Sequence, residues 1–111
     1  MLQSETPVIV DFWHENCAYC VELNPIFDEL ATEVEDVTFF KLNIQTSGKN
    51  FQIAQKYGIM GTPTLKFFCK GRTVGEIIGF RPKQQLKEEI KKIIENAEIC
   101  LKKSTKLPKR R

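Results

Sequence analysis

Short apolar runs along the chain predict four β-strands. Residues 7–12 are apolar and β-branched apart from one carboxylate, which is typical of a buried strand, and residues 37–44 are rich in branched and aromatic side chains. A third strand is predicted over 64–69 and a fourth over 73–78. The turn residues at 70–72 separate these two strands, so we expect them to form a hairpin.

Apolar residues spaced three and four positions apart predict helices between these strands. The first helix starts at about Cys17 and continues through Pro25, where we expect a kink and not a break. A short helix is predicted over 50–57, ending near Gly58, and a last helix begins at Pro82. The expected buried stripes are Cys20, Leu23, Phe27, Leu30, Ala31 and Val34 in the first helix and Leu86, Ile90, Ile93, Ile94, Ala97, Cys100 and Leu101 in the last.

The order of these elements predicts an α/β fold, β-α-β-α-β-β-α. A β-α-β crossover makes a parallel pair of strands and the hairpin adds antiparallel ones, so we expect a four-stranded mixed sheet flanked by helices. A length of 111 residues fits one domain with a single sheet and its covering helices.

Charge divides the chain into two parts. Six of the 17 Lys and Arg residues lie in 102–111, which contains no acidic residue, so residues 1–101 have a net charge of −3 although the whole chain has +3. We therefore interpret 1–101 as the folded domain and 102–111 as a basic, disordered tail. An alternative is that the tail holds the protein near an anionic membrane or a nucleic acid. The acidic body argues against specific nucleic-acid binding.

Other protein classes are also disfavoured by composition. No apolar run approaches the ~18 residues of a membrane span, and residues 1–7 lack the basic and apolar regions of a signal peptide. The four cysteines are too few for a disulfide-dense secreted scaffold. We therefore expect a cytoplasmic protein, with no membrane span and with a redox or metal site at the Cys-x-x-Cys motif.

The motif Cys17-Ala18-Tyr19-Cys20 lies between the first predicted strand and the first helix. Unpaired N–H groups and the positive end of the helix dipole stabilise a thiolate on Cys17 at this position. Cys20 lies one helical turn further on the same side, within reach of a mixed disulfide at Cys17. This spacing is what dithiol–disulfide exchange requires.

Two further features support that chemistry. Asp11 is a carboxylate in a buried strand, where it is costly unless it is paired or functional, and we expect it near Cys20 as a proton acceptor, with Lys41 of the neighbouring strand as a candidate partner. The Thr62-Pro63 bond is a candidate cis peptide. In that form it presents the Thr62 backbone to an extended peptide substrate.

Simpler interpretations remain open for several of these residues. The Cys-x-x-Cys pair is also half of a zinc site, but only His14, Cys69 and Cys100 are further candidate ligands, so we expect no metal. His14 is either a residue that tunes the motif or one at its rim. Asp11 is either functional or merely a satisfied buried carboxylate. We expect Cys69 and Cys100 to be inert thiols, with a bridge between them as the alternative.

The residues together resemble the thioredoxin family over about 7–95. The resemblance is carried by Val10-Asp11-Phe12-Trp13, Cys17-x-x-Cys20, Pro25, Lys41-Leu42-Asn43-Ile44, Tyr57-Gly58-Ile59, Gly61-Thr62-Pro63-Thr64, Lys70-Gly71 and Gly79, all in the family's order and spacing.

This resemblance implies a thioredoxin-like fold and a protein-disulfide reductase. It implies that Cys17 attacks, that Cys20 resolves, and that Asp11 is the buried acid/base with Lys41 beside it. It further implies a substrate-facing surface, disulfide-containing protein substrates, an electron donor of the thioredoxin-reductase type, no cofactor, and a monomer. The substrate-facing residues are Trp13, Ala18, Tyr19, Thr62, Pro63 and Gly79.

The chain also departs from the family pattern. Few residues precede Asp11, so we expect four strands and not the family's longer sheet; Asn16 replaces a second Trp, Val21 replaces a basic residue, and Ala18-Tyr19 is closer to glutaredoxins. Two alternatives to a reductase therefore stay open. One is a glutaredoxin-like or disulfide isomerase/oxidase role, and the other is a non-catalytic adaptor that uses the fold only to bind partners.

Overall fold

The computed structural model describes residues 7–35 and 37–105, which form seven elements. Their order, β-α-β-α-β-β-α, is the predicted one. The elements are β1 (Val8–Trp13), α1 (Ala18–Glu33), β2 (Thr38–Asn43), α2 (Gly48–Lys56), β3 (Thr64–Cys69), β4 (Arg72–Ile78) and α3 (Lys83–Thr105).

The four strands form one mixed sheet in the order β2-β1-β3-β4. Strand β1 is central; it runs parallel to β2 and antiparallel to β3, and the β3–β4 hairpin completes the sheet. The crossover helix α1 is what allows β1 and β2 to run parallel. The predicted four-stranded mixed sheet is confirmed.

Alternating side chains of the strands supply two separate cores. On one face, Ile9 and Phe67 pack against α1 and α3. On the other face, Val10 and Phe68 pack against Ala54 of the short helix α2. The sheet is therefore covered by two helices on one side and by one on the other. Almost all side chains of the two inner strands, β1 and β3, are buried.

Helix boundaries differ from the sequence predictions by one or two residues, except at the end of α3, which lies four residues later than predicted. The side chain of Ser47 accepts a hydrogen bond from the Asn50 N–H at 3.1 Å, which starts α2 at Gly48 and not at 50. Helix α1 continues through Pro25, as predicted. Helix α3 continues to Thr105, past the predicted domain boundary at 101, while residues 106–111 of the predicted tail lie outside the described residues. Among the helices described, none is long and apolar enough to cross a membrane.

Candidate active site

Cys17 and Cys20 are joined by a disulfide at the start of α1, with their Cα atoms 5.2 Å apart. The two cysteines differ in exposure, since Cys17 is partly exposed whereas Cys20 is fully buried. A reacting thiol or disulfide from another molecule therefore reaches the sulfur of Cys17 first.

Cys17 is the N-cap residue of α1, and its position favours negative charge. Its Sγ accepts a hydrogen bond from the Cys20 N–H at 3.2 Å. No acidic residue lies in the first turn of the helix, so nothing there opposes the positive end of the helix dipole. When the disulfide is reduced, the same N–H group and dipole stabilise a Cys17 thiolate.

The loop before β3 forms the neighbouring wall of the site. The Thr62–Pro63 peptide is cis, as expected, and the Thr62 carbonyl oxygen lies 3.5 Å from Cys17 Sγ. The Gly79 N–H donates a hydrogen bond to the Pro63 carbonyl at 2.9 Å. Gly79 has φ of 95°, a conformation that favours glycine, which lets the chain turn away closely beside Pro63.

Asp11 is the buried ionisable group of the site. It is 0% exposed, and within the described part of the chain neither carboxylate oxygen has a hydrogen-bond partner. Removal from water raises the pKa of Asp11 from 3.8 to about 7; the positive charge of Lys41 opposes this shift and the negative charge of Asp28 adds to it. A carboxyl group with such a pKa both accepts and releases a proton near neutral pH.

Side chains of β1 alternate between the two faces of the sheet, and this alternation places Asp11 on the face that α1 covers. Ile9, two residues earlier on the same face, packs in the core that includes Leu23 and Phe27 of α1. Cys20 belongs to the same buried side of α1. Asp11 and Cys20 are therefore buried on the same side of the sheet, between β1 and the helix that carries the reactive pair.

Lys41 occupies the position opposite Asp11 in the register of β1 and β2. Its ammonium group nevertheless forms its ion pair with Asp28 of α1, at 2.8 Å, and not with Asp11. Lys41 thus acts on the buried carboxyl through space only. The sequence analysis did not identify Asp28 as a site residue. Its position directly after the buried helix residue Phe27 was the feature that could have indicated a carboxylate close to the sheet.

Exposed apolar side chains border the segments that meet beside Cys17. Tyr19 is 62% exposed, Met60 96% and Ile78 58%, and the Tyr19 ring lies 6.3 Å from the Phe80 ring. Met60 and Ile78 were not predicted as site residues, because isolated apolar residues in a sequence are usually assigned to the core. Met60 directly precedes Gly61-Thr62 and Ile78 directly precedes Gly79, and this proximity to predicted site residues could have indicated that both lie beside the site. Of the other predicted surface residues, Trp13 is half-buried and Ala18 is exposed.

The remaining candidate residues lie around or away from this centre. His14 Nδ1 accepts a hydrogen bond from the Asn16 N–H at 3.2 Å, in the loop before Cys17. Cys69 is fully buried at the end of β3. Cys100 lies in α3, but its side chain is outside the described part of the structure. Across the described residues, no three His, Cys, Asp or Glu side chains are grouped as a metal site.

Comparison with known proteins gives one family. The thioredoxin family model matches residues 1–92. The chain is 36% identical over 95 residues to a thioredoxin of Alicyclobacillus acidocaldarius, which covers 85% of this chain and 88% of that protein. It is 37% identical over 91 residues to a thioredoxin of Mycoplasmoides gallisepticum, with 82% and 88% covered.

A solved structure agrees with these relatives. A point-mutant thioredoxin from Halobacterium salinarum is 29% identical and superimposes with a TM-score of 0.72, covering 83% of this chain and 78% of that one. The fold, the extent of the family match and the Cys17–Cys20 disulfide agree with one another. The chain belongs to the thioredoxin family and is a thiol–disulfide oxidoreductase with protein-disulfide reductase activity.

Proposed function

We propose that Cys17 is the attacking thiolate of this reductase and Cys20 its resolving thiol. The observation that supports this assignment is the difference in exposure, since Cys17 is partly exposed and Cys20 is 0% exposed. In the first step the Cys17 thiolate attacks one sulfur of a substrate disulfide. A mixed disulfide forms, and the other substrate sulfur leaves as a thiolate.

In the second step Cys20 attacks Cys17 Sγ and releases the substrate as a dithiol. Cys20 is a thiol in a buried position, so it needs a proton acceptor close by before it can attack. Asp11 is buried on the same side of the sheet and has a pKa raised to about 7, which makes it a stronger base than an exposed carboxylate. The reaction leaves a Cys17–Cys20 disulfide, and the two electrons of the dithiol have passed to the substrate.

The substrate lies, in this proposal, along the surface formed by the loop before α1, the cis-proline loop and the turn after β4. The Thr62 backbone is positioned to hydrogen-bond an extended peptide, because its carbonyl is already beside Cys17 Sγ at 3.5 Å. Exposed apolar side chains then contact residues that flank the substrate cysteine. The proposed substrate site consists of the exposed Ala18 and Tyr19, the partly buried Trp13, Thr62 and Gly79, and Pro63, which is itself buried beneath this surface.

The disulfide must be reduced again after each turnover, so an electron donor of the thioredoxin-reductase type is the proposed partner. A compartment that keeps thiols reduced supports this cycle, and we place the protein in the cytoplasm on that ground. We also propose that the protein acts as a monomer.

A reduction assay with dithiothreitol as electron donor and insulin as substrate tests the assignment. The wild-type protein is expected to accelerate insulin reduction, Cys17→Ser to fall to the uncatalysed background, and Cys69→Ala to retain the activity per folded molecule. An active Cys17→Ser variant would contradict the proposed roles. Absence of turnover in the wild type would instead favour the adaptor.

The dipeptide Ala18-Tyr19 keeps an oxidase or isomerase role as the second candidate, because the residues between the cysteines contribute to the redox potential. Equilibration of the Cys17–Cys20 pair with glutathione buffers separates the two roles. A reductase is expected near the thioredoxin value of about −270 mV, and an oxidase or isomerase at about −180 mV or higher.

A further inference from the structure

We infer that Asp28 is a positioning residue for the reaction. By holding the ammonium group of Lys41 in an ion pair, it keeps that charge from pairing with Asp11 and so preserves Asp11 as a base. The inference rests on the proposed role of Asp11 as proton acceptor for Cys20. It adds a residue of α1 that touches neither the sulfur atoms nor the substrate surface.

The register of the sheet brings Lys41 and Asp11 together. They are directly paired on the parallel strands β2 and β1, and their side chains are on the sheet face that α1 covers, because Phe39 and Ile9 of that same face pack in the core with α1. A lysine side chain on a neighbouring strand is long enough to contact a carboxylate at such a position. Both Asp11 oxygens lack a hydrogen-bond partner among the described residues, so the carboxylate offers a free acceptor.

The ammonium group is nevertheless held elsewhere. Lys41 Nζ lies 2.8 Å from Asp28 Oδ1, and the Lys41 side chain is 30% exposed while that of Asp28 is 64% exposed. The pair therefore lies at the edge of the helix–sheet interface, where water still solvates both charges. A carboxylate in water is a less costly partner for the lysine than one buried in the interior, since pairing with Asp11 would require the ammonium group to lose its hydration.

Among the described residues, the charges that act on the pKa of Asp11 are those of Lys41 and Asp28, so the effect of removing the Asp28 charge on this pKa can be predicted. Helix α1 contributes Cys20 and Asp28, β2 contributes Lys41, and β3 places the apolar Leu65 opposite Asp11. Loss of the Asp28 charge acts twice in the same direction. It removes a negative charge that disfavours ionised Asp11, and it frees the Lys41 ammonium to turn towards Asp11, which favours the ionised form.

This arrangement matters for the resolving step. An Asp11 carboxylate paired with Lys41 would hold a proton less tightly and would be a weaker base towards the Cys20 thiol. With Lys41 held by Asp28, the buried carboxyl retains a proton affinity closer to that of a thiol, and proton transfer between the two is easier. Asp28 thus adjusts the base without contacting the reacting atoms.

The test is a titration of the Asp11 carboxyl carbon by NMR in the intact oxidised protein, from pH 5 to pH 9. Asp28→Asn is expected to lower the Asp11 midpoint by roughly half a pH unit, the size expected for a partly exposed ion pair. Asp28→Glu, which keeps a carboxylate within reach of Lys41, is expected to restore most of it. Glu29→Gln is the matched control: it removes a charge from the next position of α1, but that charge pairs with Lys83 of α3, so the midpoint should not move.

A second pair of variants separates positioning from simple repulsion. Lys41→Met is expected to raise the midpoint, and in that background Asp28→Asn should have clearly less effect than in the wild type. An equal shift in both backgrounds, or no shift in the wild-type background, overturns the inference.

The pH dependence of insulin reduction tests whether the midpoint matters for the reaction. In Asp28→Asn its midpoint should move to lower pH together with the Asp11 titration. If Asp11→Asn leaves the pH dependence of the rate unchanged, Asp11 is not the base and the proposed mechanism fails. In that outcome the NMR midpoints alone still decide whether Asp28 controls the ionisation of Asp11.

Discussion

The carboxyl groups near the two ends of helix α1 differ in burial and in their partners. At the N-terminal end, Cys17 faces a helix terminus free of acidic residues, and the nearby Asp11 is a buried carboxyl without a hydrogen-bond partner in the described residues. At the C-terminal end, Glu29 and Glu33 are paired with Lys83 and Lys87 of α3, at 2.7 to 3.1 Å. Burial raises the pKa of Asp11 to about 7, whereas hydrogen bonds from the two lysines lower the pKa of Glu33.

This difference shows that a carboxylate's solvation and partners, more than its residue type, determine what it can do. Glu29 and Glu33 stand at the negative end of the α1 dipole and Lys83 at the positive end of that of α3, so each would be unfavourable alone. Pairing across the two helices offsets this and fixes α3 against α1. Asp11 has no hydrogen-bond partner of this kind among the described residues, so burial disfavours its charged form and raises its pKa to about 7.

The largest effect is expected from Asp11→Asn, which keeps the shape of the side chain and removes its charge. The folded-state pKa of about 7 lies above the model value of 3.8, so the wild type loses stability as the pH rises from about 4 through about 7. The variant avoids this loss. Its advantage in free energy of unfolding should be close to zero at pH 4 and grow to roughly 4 kcal/mol at pH 8.

Urea denaturation of both oxidised proteins at the two pH values checks this. A variant that is equally or less stable than the wild type at pH 8 contradicts the account of Asp11 as a carboxyl destabilised by burial. The same variant should reduce insulin more slowly, so stability and activity are expected to change in opposite directions at this end of α1.

A smaller effect is expected from Gly75→Ala, on the side of the sheet where α3 packs. A Cβ atom at this position would lie 2.8 Å from Cγ2 of Ile93, so either the Ile93 side chain or the backbone of β4 and α3 would have to shift. Overpacking of this kind costs about 1–3 kcal/mol. Gly48→Ala is the control, because a Cβ there meets nothing within 4 Å. Thermal unfolding should separate the two variants, while both should reduce insulin at the wild-type rate per folded molecule.

The smallest effect is expected from Glu33→Gln, which removes the acceptor of two lysines at the C-terminal end of α1. The lowered pKa of Glu33 means that its contribution is present above 4.5 and is lost as the pH falls through the folded-state value. The urea midpoint at pH 7 should therefore decrease slightly. The difference from the wild type should shrink at pH 3 and in high salt. A difference that grows at low pH would contradict the assignment, and so would a change in insulin reduction.

Local sequence signals predicted most of the fold. The strands, most positions of the helical stripes and the cis Thr62–Pro63 bond follow from apolar spacing and turn residues, although Ala31, expected in the buried stripe of α1, is exposed. The structure moves the boundaries of the regular elements by one or two positions, except at the end of α3, which lies four residues beyond Leu101. The later start predicted for α2 came from overlooking Ser47, whose side chain caps the helix.

Contacts between distant segments were harder to predict. The Lys41–Asp28 ion pair joins β2 to α1, and its formation depends on how far the helix lies from the sheet, which spacing along the chain does not give. The exposure of Met60 is similar, because an apolar residue in a sequence carries no sign of which side of a loop it occupies. Charge and burial at the site are thus properties of the folded structure.

The most direct test of the central claim, that Cys17 attacks and Cys20 resolves, is to trap the mixed disulfide. Cys20→Ser should form a stable adduct with an insulin chain, and mass spectrometry of the digested complex should locate the bond at Cys17. Cys17→Ser, treated in the same way, should form no adduct through Cys20, because Cys20 is buried. Trapping through Cys20 in the Cys17→Ser variant, or an adduct at Cys69 in the Cys20→Ser variant, would contradict the account.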